Sequence, residues 1–315
     1  MIHDALTSKG DLCETIPSAI FAPDCCLIPW PQQGKQKDDF MQRLTMNPAT
    51  SAYSIETKAL TRKFGDFYAL DQLNLSIPHQ CIFGLLGPNG AGKSTAIKIL
   101  TTLLDASSGT ATVAGFDVAK QPVEVRRRIG YVPQMLSADG ALTATENLSL
   151  SASLYGLRGA GRATRIQDAL EFAGLGAVAH NLVKTYSGGM IRRLEIAQAT
   201  MHQPQVMFLD EPTIGLDPVA RRTVWERLLE LKATTGMTIL LTTHDMEEAD
   251  YLCDQLAILH QGKLAVVGSP ADLKQRIGAE ATLSDVFAAH SGVVLEHGGH
   301  YREIRETRST AQRLG

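Results

Sequence analysis

Short apolar runs and helical periods alternate along the chain. Cys81-Ile82-Phe83-Gly84-Leu85-Leu86 suits a buried strand, and Thr95-Ala96-Ile97-Lys98-Ile99-Leu100 suits a helix. Upstream, residues 55–60 and then Leu73, Leu75 and Ile77 at period two predict a β-layer packed beside that strand. Downstream, residues 110–115 and 129–133 read as strands, and residues 143–155 and 163–173 as helices. Val206-Met207-Phe208-Leu209 and Thr238-Ile239-Leu240-Leu241 are continuous apolar runs, as strands covered on both faces require. Between them Asp217 and Pro218 suit an N-cap and a first helical residue, with Val224, Leu228 and Leu231 on one face. Residues 255–260 and 263–267, joined by Gln261-Gly262, read as a closing strand pair. The pattern predicts an α/β fold with a mainly parallel, doubly wound sheet, an antiparallel β-layer and an inserted helical subdomain.

The same pattern divides the chain into three segments. Residues 1–52 carry scattered Pro and Gly, a charged stretch at Lys35-Gln36-Lys37-Asp38-Asp39 and no sustained period, as in a flexible extension. They lack the basic region and apolar core of a signal peptide, and Met46 stands as a candidate initiation site. Residues 53–280 form the patterned domain, with the helical insert at about 135–203. Residues 281–315 are expected as a C-terminal tail with a short helix, its last stretch charged and histidine-containing.

Composition narrows the partners. Of 315 residues, 44% are hydrophobic and 20% charged, which is enough apolar material for a sizeable core. A net charge of −3 provides no broad basic field, so no nucleic-acid partner is expected. Five cysteines without CxxC spacing indicate neither a disulfide framework nor a zinc site, and fit a reducing cytoplasm. No apolar run approaches the roughly 20 residues of a membrane span, so any spanning segment would lie on another chain.

The seam between the first strand and helix carries the candidate chemistry. Gly87, Pro88, Asn89, Gly90, Ala91, Gly92, Lys93, Ser94 and Thr95 form a glycine-rich loop that opens a helix. Glycines at 87, 90 and 92 let backbone N–H groups turn around phosphate oxygens, and the helix N-terminus adds a favourable dipole. Lys93 would reach the β- and γ-phosphates of a nucleoside triphosphate, and Ser94 would place its hydroxyl on Mg²⁺. With the strand before and the helix after, this predicts the core of a P-loop NTPase. No second such loop occurs.

Asp210 and Glu211 end the run at 206–209, so their carboxylates should emerge at the carboxyl edge of the sheet, where open α/β folds bind ligands. There Asp210 can hold Mg²⁺ through water, and Glu211 can accept a hydrogen bond from water attacking the γ-phosphate. Carboxylates after strands also often just cap the next helix. His244 follows the second run after only Thr242 and Thr243, which places it near the same edge. Ser187, Gly188 and Gly189 precede a helix with Met190, Leu194, Ala197 and Met201 on one face, a second helix start able to hold a phosphate.

In this order the loop at 87–94, Gln134 after Tyr131-Val132-Pro133, the motif at 186–190, Phe208-Leu209-Asp210-Glu211-Pro212, Gly215-Leu216-Asp217 and His244 resemble an ABC ATPase. The resemblance runs from about residue 54 to 268. It implies ATP and Mg²⁺ as cofactors and an ATP-dependent head-to-tail homodimer, in which the Ser187-Gly188-Gly189 segment of one subunit covers ATP on the loop of the other. It further implies that Gln134 senses Mg²⁺ and the γ-phosphate, that Asp217 couples the two sites, and that Phe64 stacks on adenine, with Phe67 or Tyr68 as substitutes. Catalysis would fall to Glu211, His244 and Lys93; Ser94, Gln134 and Asp210 would surround the metal.

Met190 and Tyr186 depart from the Gln and Leu usual in the family signature, although the Met variant is also met among exporter ATPases. Residues 142–148, residues 185–193 with Arg192-Arg193, and residues 282–287 are similar to the ABC-2 type branch for drugs, antibiotics or polysaccharides. Its permease is a separate chain, which would put this protein on the cytoplasmic face of the membrane. The rival readings are a non-transport ABC ATPase acting on ribosomes or nucleic acid, a small-molecule kinase and a silent regulatory subunit.

Overall fold

The computed structural model describes residues 52–291 and two short strands beyond them. Residues 1–51, most of the segment read as an extension, with the candidate start at Met46, and the charged final stretch lie outside the described residues. The chain opens with β1 (Tyr53–Phe64), β2 (Phe67–Pro78), β3 (Ile82–Leu86), α1 (Lys93–Leu100), β4 (Ser108–Val113), β5 (Phe116–Asp117), α2 (Pro122–Arg126) and β6 (Ile129–Val132). Three helices come next: α3 (Ala144–Leu154), α4 (Ala160–Ala173) and α5 (Gly188–Thr200). The chain then returns through β7 (Val206–Asp210), α6 (Pro218–Thr235), β8 (Thr238–Thr243), α7 (Met246–Leu252), β9 (Gln255–His260) and β10 (Lys263–Gly268). It continues as α8 (Pro270–Ile277), α9 (Leu283–Ser291), β11 (Val294–Leu295) and β12 (Tyr301–Arg302).

The main sheet has the order β10-β9-β3-β8-β7-β6, parallel except for β10, and the second has the order β2-β1-β4-β5, antiparallel throughout. This is the α/β arrangement expected of a P-loop NTPase core. Every residue of β3, β7 and β8 is buried, and side-chain alternation divides them between two cores. Ile82, Leu86, Met207, Leu209, Ile239 and Leu241 face the helices α3 to α7 and α9. Phe83, Leu85, Val206, Phe208 and Leu240 face α1 and the antiparallel sheet. Register then aligns the strand ends, with Leu86 opposite Thr243 and Asp210 opposite Thr242. One sheet edge therefore receives the phosphate loop, the acidic pair and His244.

Local chemistry explains most element ends. Thr143 and Glu146 form a reciprocal capping box at α3, Asp217 caps α6 with Pro218 in its first turn, and Gly236 ends α6 at φ 65°. Helices α3, α4 and α5 contact one another. Helix α9, in the segment expected as a tail, is folded onto the body, where Leu283, Val286 and Phe287 join the helical core.

Three elements differ from expectation. β4 stops at Val113 because Ala114 and Gly115 take positive φ and turn the chain into β5, which has only two residues. Helix α2 has five residues and buries only Val125, too few for a period. β1 is twice as long as the pattern at 55–60 indicates, because register shifts between Thr57, Leu60 and Arg62 break its alternation. Among the described residues, Cys81 and Cys253 are free and buried, and no helix is long and apolar enough to cross a membrane.

Candidate active site

Between β3 and α1 the chain turns at Gly92, whose φ is 107°. A Cβ there would stand 2.4 Å from the Ala69 carbonyl oxygen and 2.9 Å from Leu70 Cδ2, so only glycine fits. Gly92 contributes no side-chain cap, which leaves the first N–H groups of α1 for an anion. The loop is braced from outside, since Gly262 N donates to the Ala91 carbonyl at 3.0 Å. Asn89 and Gly90 are exposed at its tip, while Ser94 and Thr95 are half-buried in the first turn of α1.

Lys93 is buried and folded back into the loop: Nζ donates to the carbonyls of Gly87 at 2.7 Å and Pro88 at 3.2 Å, and lies 3.9 Å from Glu211 Oε1. Burial lowers its pKa, and the charges of Glu211 and Asp210 oppose that shift. An ammonium held in this way can exchange its two carbonyl acceptors for anionic phosphate oxygens, which pair its charge as well as its protons.

Asp210 and Glu211 leave β7 in opposite directions. Asp210 Oδ1 accepts from Ser94 Oγ at 3.2 Å and from Thr242 Oγ1 at 2.5 Å. Glu211 has φ 48°, a conformation that costs a non-glycine residue about 1–3 kcal/mol. Its N–H compensates by donating to both the hydroxyl and the carbonyl of Thr242, at 3.0 and 3.1 Å. The turn directs the Glu211 carboxylate toward three groups: Lys93, Gln134 Nε2 at 3.3 Å and His244 Nδ1 at 3.3 Å. Contact with His244, then the charges of His244 and Lys93, lower the Glu211 pKa against the opposing effect of burial. The same contact raises that of His244.

Lys93, Ser94, Asp210, Glu211, Gln134 and His244 thus converge at one edge. Ser187, Gly188 and Gly189 sit elsewhere, at the start of α5: a Cβ on Gly189 would stand 2.6 Å from Ala220 Cβ in α6, and one on Gly188 3.2 Å from Leu216 Cδ2 just before it. Ser187 caps α5 by accepting from Met190 N at 3.3 Å. Asp217 accepts from the N–H groups of Val219 and Ala220 at 3.0 and 2.9 Å, so its carboxylate serves the helix start in this chain. Phe64 lies on the β1–β2 hairpin, 47% exposed, under the Arg62 guanidinium at 4.5 Å. Phe67 and Tyr68 are exposed as well.

Sequence reasoning missed Thr242, which braces both acids, and the buried pair Arg192 and Glu195, which grips the segment around Gln134. A polar residue at the end of an apolar strand was the only signal for Thr242. For the pair it was an arginine and a glutamate three apart on an otherwise apolar helix face.

Mg²⁺ prefers oxygen ligands, keeps several waters and takes one or two protein groups together with phosphate. Ser94 Oγ and Asp210 Oδ1, adjacent at the foot of the loop, suit that demand. Among the described residues no group of three or more His, Cys, Asp or Glu forms a metal cage, so the phosphates would have to complete the shell.

The ABC transporter family model matches residues 70–214, and an AAA domain model, described as putative AbiEii toxin of a type IV toxin–antitoxin system, matches residues 184–250. The chain is 43% identical over 243 residues to the daunorubicin/doxorubicin resistance ATP-binding protein of Streptomyces peucetius, covering 77% of this chain and 73% of that one. It is 41% identical over 261 residues to a Nod factor export ATP-binding protein of Sinorhizobium fredii, covering 82% and 72%. A solved ATP-binding cassette, a dimer in a post-hydrolysis state with ADP and Pi, superposes with a TM-score of 0.62 at 27% identity, covering 68% of this chain and 98% of that one. These relatives fit the transport reading and not action on ribosomes or nucleic acid. The chain belongs to the ABC transporter family, as an ATP-binding subunit that hydrolyses ATP.

Proposed function

We propose that this protein drives a separate membrane permease that exports a drug-like, antibiotic or glycan substrate, from a peripheral position on the cytoplasmic face of the membrane. The observation that carries the catalytic part is the Glu211 carboxylate, turned by a positive φ toward Lys93, Gln134 and His244. The export branch is supported by relatives named for daunorubicin and doxorubicin resistance and for Nod factor export. The working unit is residues 53–280 with the helical insert at about 135–203, and the short helix α9 that follows packs onto its core.

In this reading the N–H groups at the start of α1 and the Lys93 ammonium bind the β- and γ-phosphates. Phe64, or failing it Phe67 or Tyr68, stacks on adenine. Ser94 and Asp210, with Gln134 nearby, hold Mg²⁺, which supplies charge neutralisation to the phosphates when bound. Glu211 orients the attacking water and accepts its proton, and His244 steadies charge on the transferred phosphoryl group. A second copy brings its Ser187-Gly188-Gly189 helix start over the same ATP, and Asp217 links the two sites. ATP then holds the dimer closed, and hydrolysis removes the bridge.

Glu211→Gln keeps the shape of the side chain and removes its basicity. Turnover should fall by about 10²–10⁴-fold while ATP still binds and now traps the dimer, visible as a doubled mass in size-exclusion light scattering. Wild-type turnover in this variant, or a monomer at every ATP concentration, would overturn the assignment.

A further inference from the structure

Arg192 lies one turn and Glu195 two turns into α5, their side chains only 2% exposed, and they pair at 3.0 Å. Both are committed to one segment outside their helix. Arg192 donates through Nη1 to the Pro133 carbonyl at 2.7 Å and through Nη2 to the Gln134 carbonyl at 2.8 Å. Glu195 Oε1 accepts from the backbone N–H and the hydroxyl of Ser137, the latter at 3.0 Å, and from Ala138 N at 3.2 Å. The cation takes the carbonyls on one side of the segment and the anion takes the amides on the other. Between these anchors Met135 and Leu136 are turned outward, 81% and 47% exposed. A buried ion pair is a weak source of stability, because desolvation offsets its attraction, but its fixed geometry suits a device that sets position.

We propose that Arg192 and Glu195 are positioning residues that lock the backbone of Gln134 to α5, so that the Ser187-Gly188-Gly189 turn and the Gln134–Glu211 contact move as one body. Gln134 and the glycine turn are then joined through the first two turns of one helix, too short and too tightly bonded to flex. A shift of α5 produced at its N-terminus is delivered to Gln134 Nε2, and so to the carboxylate 3.3 Å away. This rests on the proposed role of Gln134 in turnover.

A double-mutant cycle on the full chain tests it. Arg192→Lys keeps the charge, but one ammonium cannot span two carbonyls as the planar fork does. Arg192→Lys and Gln134→Ala should each lower kcat by about 10- to 100-fold, as the loss of an outer-sphere support does, with ATP affinity within about twofold of wild type. Together they should be no slower than Gln134→Ala alone, because the lock has nothing left to position. Losses that multiply in the double variant overturn the lock and leave the role of Gln134 standing. Wild-type turnover in Gln134→Ala removes that role and the lock with it. Should Arg192→Lys fail to bind ATP, Glu195→Gln takes its place in the cycle; if that variant also loses ATP binding, the pair is a folding element and the proposal fails.

Discussion

Helices α1 and α5 both start at glycine-containing turns, yet the two starts are built for different tasks. At α1 the N-cap is Gly92, which offers no side-chain oxygen, and the turn is surrounded by Lys93, Ser94, Asp210 and Glu211. At α5 the N-cap is Ser187, whose oxygen accepts from the helix itself, and the adjoining glycines are used for close contact with Leu216 and with Ala220 of α6. In the function proposed above, the first is an anion site with its own cation and acids. The second, in the same proposal, has only N–H groups and a dipole with which to cover a phosphate brought to it.

The strongest way to break this contrast is Lys93→Ala. It should weaken ATP binding by about 100-fold or more, roughly 3 kcal/mol, in equilibrium binding by calorimetry. Affinity near wild type would show that the first start does not depend on its cation. Next come the glycines. Gly92→Ala places a methyl against a backbone carbonyl, displaces the loop and should weaken ATP binding by about 10- to 100-fold. Gly189→Ala presses on Ala220 Cβ and should cost about 1–3 kcal/mol in thermal stability and lower turnover, with ATP affinity of the single subunit unchanged. Equal loss of affinity in both variants would erase the distinction.

Smaller effects sharpen it. Ser187→Ala removes a cap and should cost about 1 kcal/mol by denaturant titration, with little change in ATP affinity. The Glu211–His244 contact gives a pH signature. His244 has a raised folded pKa, so its share of stability is full below its unfolded value of about 6.5 and is lost as pH rises through the folded value. Glu211 has a lowered one, so its share is present above about 4.3 and is lost as pH falls through the folded value. The pair therefore contributes most between those limits. NMR titration of His244 should give a midpoint above the ordinary histidine value that moves down in Glu211→Gln; a midpoint indifferent to that substitution would dissolve the contact in solution.

The sequence alone determined the parallel strands β3, β7 and β8, the loop at 87–95 and the arrival of Asp210, Glu211 and His244 at one sheet edge. Strands buried on both faces are continuous apolar runs, and parallel strands carry the residues at their carboxyl ends to a common edge. It left β5, α2 and the bulges of β1 unread, since two- and five-residue elements and broken register have no period. Only the tertiary structure decided that Thr242 braces both acids, that Glu211 is turned by a positive φ toward Gln134 and His244, and that Arg192 and Glu195 grip residues 133–138. Those partners are separated by 31 to 77 positions along the chain. Periodicity says which way a side chain faces, but which distant polar group meets it there depends on how the elements pack.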